Sequence, residues 1–130
     1  PSVLSVAAGR LGRRCPPMIC TDGQPGAAVR RLLQTAAEGE VELRYHGDFD
    51  WGGIRIANLV IGQYHAIPWQ FDSASYQAAI RHATKSLDGE PVDAEWDPEL
   101  TRHMAEDGLA VHEEAVVEDL MKDLEAPIAE

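Results

Sequence analysis

The sequence predicts an α/β domain of three layers, in which a mainly parallel sheet carries helices on both faces. Short apolar or alternating segments and helical patterns follow one another in the order helix, strand, helix, strand, helix, strand, helix. Such alternation produces crossover connections between parallel strands. The 130 residues are enough for one domain, with a core at about residues 1–85 and a helical extension at about residues 97–125.

The first part of the chain predicts a helix, a strand and a second helix. Residues 2–11 place apolar side chains at helical spacings, and glycine and proline residues then end the pattern. Residues 18–21 are an apolar run that predicts a short buried strand, with Cys20 as a small buried side chain. Pro25 suits the first turn of the next helix, whose apolar stripe ends at Gly39.

The middle of the chain predicts two further strands separated by a helix. Residues 41–46 alternate apolar and polar side chains, which indicates a strand, and residues 54–64 have helical spacing. Residues 66–71 contain a proline and predict a short strand near a sheet edge. Asp72 or Ser73 is expected to cap the helix that follows.

The last part predicts a loop and two helices. Residues 86–95 are polar and contain glycine and proline, which is typical of a loop. Asp97 and Pro98 have the residue types of an N-cap and a first helical position. An acidic final helix over residues 117–124 is expected to end before Pro127.

Composition excludes some classes of protein. A formal net charge of −11 argues against a nonspecific DNA-coating protein but not against a nuclease, because bound metal changes the sign of an acidic site. Cys15 and Cys20 lack the second pair that a zinc site needs, so we expect a protein of the reducing cytoplasm. No apolar run predicts a membrane span or signal peptide, and Pro1 in place of Met predicts the cut end of a longer protein.

The stretch over residues 45–53 carries the candidate chemistry. It leaves a predicted strand and enters a predicted helix, the position where ligand sites form in open α/β sheets. Asp48 and Asp50 should project to one side of an extended backbone, with Phe49 on the other. Two carboxylates held together repel each other, and a hard cation such as Mg²⁺, or Mn²⁺, removes that repulsion. The sequence therefore predicts a metal site with Asp48 and Asp50 as ligands and catalytic residues.

Other interpretations of this pair stay open. An Asp-rich turn after a strand also serves as a helix cap or an Asx turn. A calcium-binding EF-hand is excluded, since counting from Asp48 places Leu59 where a bidentate acid is required. Phosphatases of the haloacid dehalogenase type also use D-x-D after a strand, but they normally carry Thr or Val where this chain has Gly52.

Residues 48–57, with the sequence DFDWGGIRIA, resemble the D-x-D-x-x-G element of Toprim domains. They are most similar to the branch that contains the topoisomerase VI A subunit, with Trp51 where Pro commonly follows the second Asp. Over most of its length, through residues 1–4, 20–25 and 112–114, the chain also resembles the C-terminal Toprim-like domain of a bacterial family. That family, formerly of unknown function, occurs beside SMC-type ATPase operons and is related to JetD, the nuclease subunit of Wadjet anti-plasmid systems.

The resemblance implies a Toprim-like (Rossmann-like) fold and metal-dependent cleavage of the DNA phosphodiester backbone in an SMC-linked plasmid-defence system. The implied partners are DNA and an SMC-type ATPase complex, with no membrane, and a homodimer is compatible with them. The family site consists of a Glu after the first strand and the D-x-D after the third. Residues 1–4 resemble the end of the element that carries this Glu, so the Glu and the first strand are expected to lie upstream.

Four further residues are weaker candidates, and each has a structural alternative. Asp22 is expected either to face the same crevice or to be a helix N-cap or turn residue before Pro25. His46 is expected to contact a phosphate or orient Asp48, or else to be structural. Arg55, near a helix N-terminus, is a candidate phosphate contact or a surface arginine. For Trp51 we favour covering of the core edge over stacking on a base.

The remaining candidates receive no catalytic role. Residues 112–114 do not make an H-E-x-x-H motif, because Val116 stands at the second His position, and they are expected to form a solvated acidic helix face. Tyr45, Tyr64 and Tyr76 receive no nucleophile role.

Two rival functions remain open at this stage. One is a small-molecule phosphoryl hydrolase with Asp48 as nucleophile and Asp50 as acid/base. The other is a non-catalytic module that docks a partner protein through its acidic surface.

Overall fold

A computed structural model describes residues 2–21 and 23–126 of the chain. Within these residues, helices are the larger part of the structure, and the strands are short. The helices are α1 (Val3–Leu11), α2 (Ala27–Glu38), α3 (Trp51–Tyr64), α4 (Ser73–Ala79), α5 (Pro98–Asp107) and α6 (Val117–Glu125). Short 3₁₀ turns cover Gly12–Arg14, Ile80–His82 and Glu113–Val116. The strands are β1 (Arg44–Tyr45), β2 (Ile67–Pro68), β3 (Lys85–Ser86) and β4 (Leu109–Ala110).

The strands form two small pairs. β1 and β2 are parallel and are joined through α3, so this part of the chain is a βαβ crossover of the kind that the sequence predicts. β3 and β4 are antiparallel. An isolated antiparallel bridge joins Phe49, just beyond β1, to Val111, just beyond β4. The fold is thus a mixture of helices and a small amount of sheet, compatible with the predicted α/β class.

The helix boundaries follow local signals. Ser2 caps α1 by accepting a hydrogen bond from the backbone N–H of Ser5 (3.2 Å), and Asp72 caps α4 by accepting from Ser75 (2.8 Å). Asp97 caps α5, and Gly108 ends it in the left-handed region. The capping predictions for Asp72 and Asp97 are confirmed, whereas α2 begins only at Ala27, after Pro25, and α3 begins at Trp51, three residues before the predicted start. Pro127 lies outside the described residues.

Two predictions about the first half of the chain are wrong. Residues 18–21 form no strand, and Cys20 is exposed rather than buried. The physical reason is that an extended segment becomes a strand only when another strand satisfies its backbone groups, and none pairs with it among the described residues. The predicted strand over residues 41–46 shrinks to β1, and in α2 only Leu33 of the apolar stripe is buried.

The core lies between the helices, with aromatic side chains at its centre. Phe49 is 1% exposed, and its ring lies 4.7 Å from that of Phe71 and 5.4 Å from that of Tyr76. Leu100 and Met104 of α5 and Leu120 and Met121 of α6 are also buried in this cluster. Burial of Phe49 therefore anchors the loop that carries the two candidate aspartates. Within the described residues, no helix is long and apolar enough to cross a bilayer.

Candidate metal centre

In the loop between β1 and α3, neighbouring side chains alternate between the core and the surface, as predicted. Phe49 faces the core, whereas Asp48 and Asp50 on either side are only half-buried. Phe49 is held by its backbone as well, because its N–H donates to the carbonyl of Val111 (2.7 Å) and its carbonyl accepts from the Val111 N–H (3.1 Å). The buried ring and the backbone bridge together fix the direction in which the two aspartates point.

Asp48 is tied to the segment that follows β4. Its Oδ1 accepts a hydrogen bond of 2.6 Å from the backbone N–H of Glu113. This bond holds one carboxylate oxygen in a defined orientation and brings the loop after β1 against the turn that precedes α6. Two distant parts of the sequence therefore meet at the acid pair.

The two carboxylate oxygens of Asp50 have different roles. Oδ1 accepts a hydrogen bond of 2.7 Å from the N–H of Gly53, so Asp50 is the N-cap of α3. Oδ2 lies 3.6 Å from Nε2 of His112. The capping interpretation is therefore correct for one oxygen, while the other faces the candidate site.

His112 completes a cluster that the sequence analysis missed. Asp48, Asp50 and His112 each offer one possible ligand atom, and these three atoms lie within 4.8 Å of one another. The expectation that residues 112–114 form a solvated helix face is wrong for His112 and Glu113, which are half-buried at the start of a 3₁₀ turn, although Glu114 is exposed. An available signal was that acidic residues follow the apolar residues 109–111, the same order as around β1.

Burial and mutual repulsion determine the charge state of the acids. Burial raises the pKa of Asp48, the hydrogen bond from Glu113 opposes this, and the Asp50 charge adds to it. Burial, followed by the charges of Asp48 and Glu114, raises the pKa of Glu113 to about 7. Burial also raises the pKa of Tyr45, so its hydroxyl stays protonated beside the acids. Acids that resist joint ionisation favour the binding of a cation.

Gly53 allows the loop and helix to approach each other closely. A Cβ at this position would overlap the carbonyl oxygen of Asp48 and lie 2.9 Å from its carbonyl carbon. At Gly52 the nearest atom to such a Cβ would be Oδ1 of Asp50, at 3.6 Å. Only the second glycine of the pair is therefore required by space, because its backbone lies against that of Asp48.

The other predicted residues lie in different surroundings, or outside the described part of the chain. Asp22 lies outside the described residues. Trp51 is 4% exposed and covers the core, which is the interpretation that we favoured over stacking on a base. Arg55 is exposed on α3, the helix that Asp50 caps, and its role as a phosphate contact stays a prediction.

His46 has a structural environment. Its Nδ1 lies 2.9 Å from the carbonyl oxygen of Trp69, a bond that requires the proton to be on Nδ1. Its ring packs edge-on against Phe49, Trp69 and Phe71, and Nε2 is buried without a partner in the described part of the chain. These contacts favour the structural alternative, since burial among aromatic rings disfavours a charged imidazole.

Two opposing pH dependences of the free energy of unfolding follow for the metal-free protein. Burial lowers the pKa of His46 from 6.5 to about 4, so the unfolded chain binds more protons in that window and stability is lost as pH falls through it. The pKa of Glu113 rises from 4.5 to about 7, so the folded chain holds more protons there and stability is lost as pH rises.

We expect the free energy of unfolding to fall more steeply with decreasing pH in Glu113→Gln than in the parent protein. In His46→Gln it should fall less steeply than in the parent. Each change should alter the difference in the free energy of unfolding between about pH 4.5 and about pH 7 by on the order of 3 kcal/mol. This figure corresponds to a shift of roughly 2.5 pKa units at about 1.36 kcal/mol each. Urea unfolding in EDTA across this range measures it. His82→Gln is the control, because His82 is exposed. Identical pH profiles for all four proteins would contradict the assignment.

Comparison with protein families gave a match over nearly the whole chain. The family model described as "Protein of unknown function C-terminus (DUF2399)" matches residues 1–124. No curated protein and no solved structure matches the chain. The family description names no activity, so the function must be argued from the site.

Proposed function

The chain belongs to the DUF2399 family, and we propose that it is a metal-dependent DNA-cleaving domain of Toprim type. The observation that carries the proposal is the convergence of Asp48 and Asp50, in the loop between β1 and α3, with His112. The resemblance of residues 48–57 to the D-x-D-x-x-G element supplies the reaction class. Convergence of the two acids is what a divalent cation would need.

The donor set fits a divalent cation. In each aspartate, Oδ1 accepts one of the backbone hydrogen bonds described above. The other oxygen, Oδ2, is therefore left for an ion. Burial, and after it the neighbouring Asp50 charge, raises the pKa of Asp48, and a nearby cation would favour its ionised form. Carboxylate oxygens are the ligands that Mg²⁺ prefers, and Mn²⁺ accepts the same set.

In this proposal the chain's own groups hold and orient the reacting phosphate. A bound ion would stabilise negative charge on the scissile phosphate and the leaving oxygen. Asp48 and Asp50 would be its ligands, with the Glu113 N–H fixing the orientation of Asp48. Arg55, exposed on α3, would contact a neighbouring phosphate oxygen.

The wider setting is part of the same proposal. The parallel β1–α3–β2 crossover would be one section of a three-layer Toprim sheet. The substrate would be DNA, and the partner an SMC-type ATPase complex in a plasmid-defence system. With a net charge of −11, DNA contact would depend on the bound cation and on basic side chains outside the acid cluster.

The proposal is tested by following cleavage of supercoiled plasmid DNA by the purified protein. We expect cleavage only when Mg²⁺ or Mn²⁺ is added, loss of cleavage with EDTA, and recovery with excess cation. Crystals soaked in Mn²⁺ should show an anomalous peak between Asp48 and Asp50. Cleavage that persists in EDTA, or no peak and no cleavage, would refute the proposal.

The same preparations separate the rival functions. Beryllofluoride bound on the Asp48 carboxylate would indicate a small-molecule phosphoryl hydrolase instead. Full cellular function after Asp48→Ala together with Asp50→Ala would indicate a non-catalytic interaction module.

A further inference from the structure

His112 is the member of the cluster that the D-x-D element does not explain. It lies after β4 and reaches the acid pair only through the tertiary structure. Its side chain is 40% exposed and that of Asp50 is 31% exposed, so both side chains are open to solvent. An imidazole in this position needs an explanation apart from the resemblance.

The backbone on both sides of His112 is anchored to the acid loop. Val111 exchanges two hydrogen bonds with Phe49, at 2.7 and 3.1 Å. The N–H of Glu113 donates to Asp48 Oδ1 at 2.6 Å. With both neighbours held, His112 is presented to the pair by the fold, and its placement does not depend on the choice of a surface rotamer alone.

A simple ion pair explains the contact between His112 and Asp50 poorly. The distance from Nε2 to Oδ2 is 3.6 Å, longer than a hydrogen bond between these atoms. Half-exposed pairs of this kind contribute little to stability. Three ligand atoms within 4.8 Å of one another, with a gap between the imidazole and the carboxylate, have the spacing of groups that share an ion.

We propose, as an extension of the proposed metal-dependent function, that His112 is a nitrogen ligand that biases the site toward Mn²⁺ over Mg²⁺. Mg²⁺ selects oxygen ligands and retains its waters. Imidazole nitrogen is a softer donor that stabilises first-row transition ions more than Mg²⁺. A set of two carboxylates and one imidazole therefore favours Mn²⁺ over Mg²⁺. Two carboxylates alone discriminate less between these two ions.

The test is electron spin-echo spectroscopy of the purified protein loaded with Mn²⁺, together with titrations of Mn²⁺ and Mg²⁺. We expect nitrogen modulation from a coordinated imidazole, and its loss in His112→Asn. In that variant the affinity for Mn²⁺ should fall about 10-fold, while that for Mg²⁺ should change less than about 3-fold. His82→Asn, at an exposed histidine outside the cluster, should change neither.

The outcomes separate this inference from the function on which it rests. Bound Mn²⁺ without nitrogen modulation, or equal losses for both ions in His112→Asn, would overturn the role of His112 and leave the aspartate site standing. Failure of the parent protein to bind either ion would overturn the metal site itself. His112→Gln, with a longer amide side chain, should reproduce the His112→Asn result if loss of the nitrogen ligand is the cause.

Discussion

Asp50→Asn should lower the affinity for divalent cations by at least ~10²-fold while leaving the stability of the protein unchanged. Asparagine is as good an N-cap as aspartate, so its amide oxygen can still accept the hydrogen bond from Gly53. What is lost is the negative charge that faces His112 and the proposed ion. Loss of even an outer-shell partner changes metal affinity by ~10–100-fold, and loss of a direct ligand should cost at least as much. Cleavage of DNA should fall with it.

Asp50→Ala separates the two roles of this side chain. It removes the cap as well as the charge, so the free energy of unfolding should fall by about 1 kcal/mol in addition to the loss of cation binding. Asp72 is the matched control, because it caps α4 with the same geometry outside the cluster. Asp72→Ala should lose the same stability with no change in binding. Unaltered Mn²⁺ affinity in Asp50→Asn would show that Asp50 is a cap only.

Gly53→Ala should destabilise the fold by about 3 kcal/mol and weaken cation binding with it. Its Cβ would overlap the carbonyl oxygen of Asp48, and backbone cannot rotate away as a flexible side chain can. Forced overpacking costs about 1–3 kcal/mol, and the upper end applies because the obstacle is backbone. Relief of the overlap requires the Asp48 peptide to move, which displaces a proposed ligand. Urea unfolding and Mn²⁺ titration measure the two effects.

Gly52→Ala is the control for this prediction. The nearest atom to its Cβ would be 3.6 Å away, and Gly52 is exposed on the first turn of α3. Replacement of glycine by alanine within a helix stabilises by about 0.5–1 kcal/mol, so this variant should be equal to or slightly more stable than the parent. If Gly53→Ala behaves like Gly52→Ala, the close approach to Asp48 is wrong.

The starts of α1, α4 and α5 could be predicted because their causes are local. A capping side chain at Ser2, Asp72 or Asp97 bonds a backbone N–H only two or three residues away. The facing of Asp48 and Asp50 away from Phe49 was equally predictable, because neighbouring residues alternate in an extended backbone. None of these features needs a distant part of the chain.

The strands were less predictable because each needs a partner. The apolar run at residues 18–21 has the composition of a strand but forms none, and Cys20 is exposed. The apolar stripe of α2 predicts burial, yet only Leu33 is buried, since the amount of surface covered depends on what packs against the helix. Periodicity describes which residues share a face but not whether anything covers that face.

By itself, the sequence determined where α1, α4 and α5 start, which side of the loop carries the two aspartates, and the resemblance that suggests a metal-dependent reaction. Only the tertiary structure decided that His112 and the Glu113 peptide join those aspartates and that Gly53 lies against the Asp48 backbone. The physical reason is range: a cap or an alternating strand is decided over a few residues. Contact between residues 48–50 and 111–113 forms only in the folded chain, where the buried ring of Phe49 and backbone hydrogen bonds hold the two segments together.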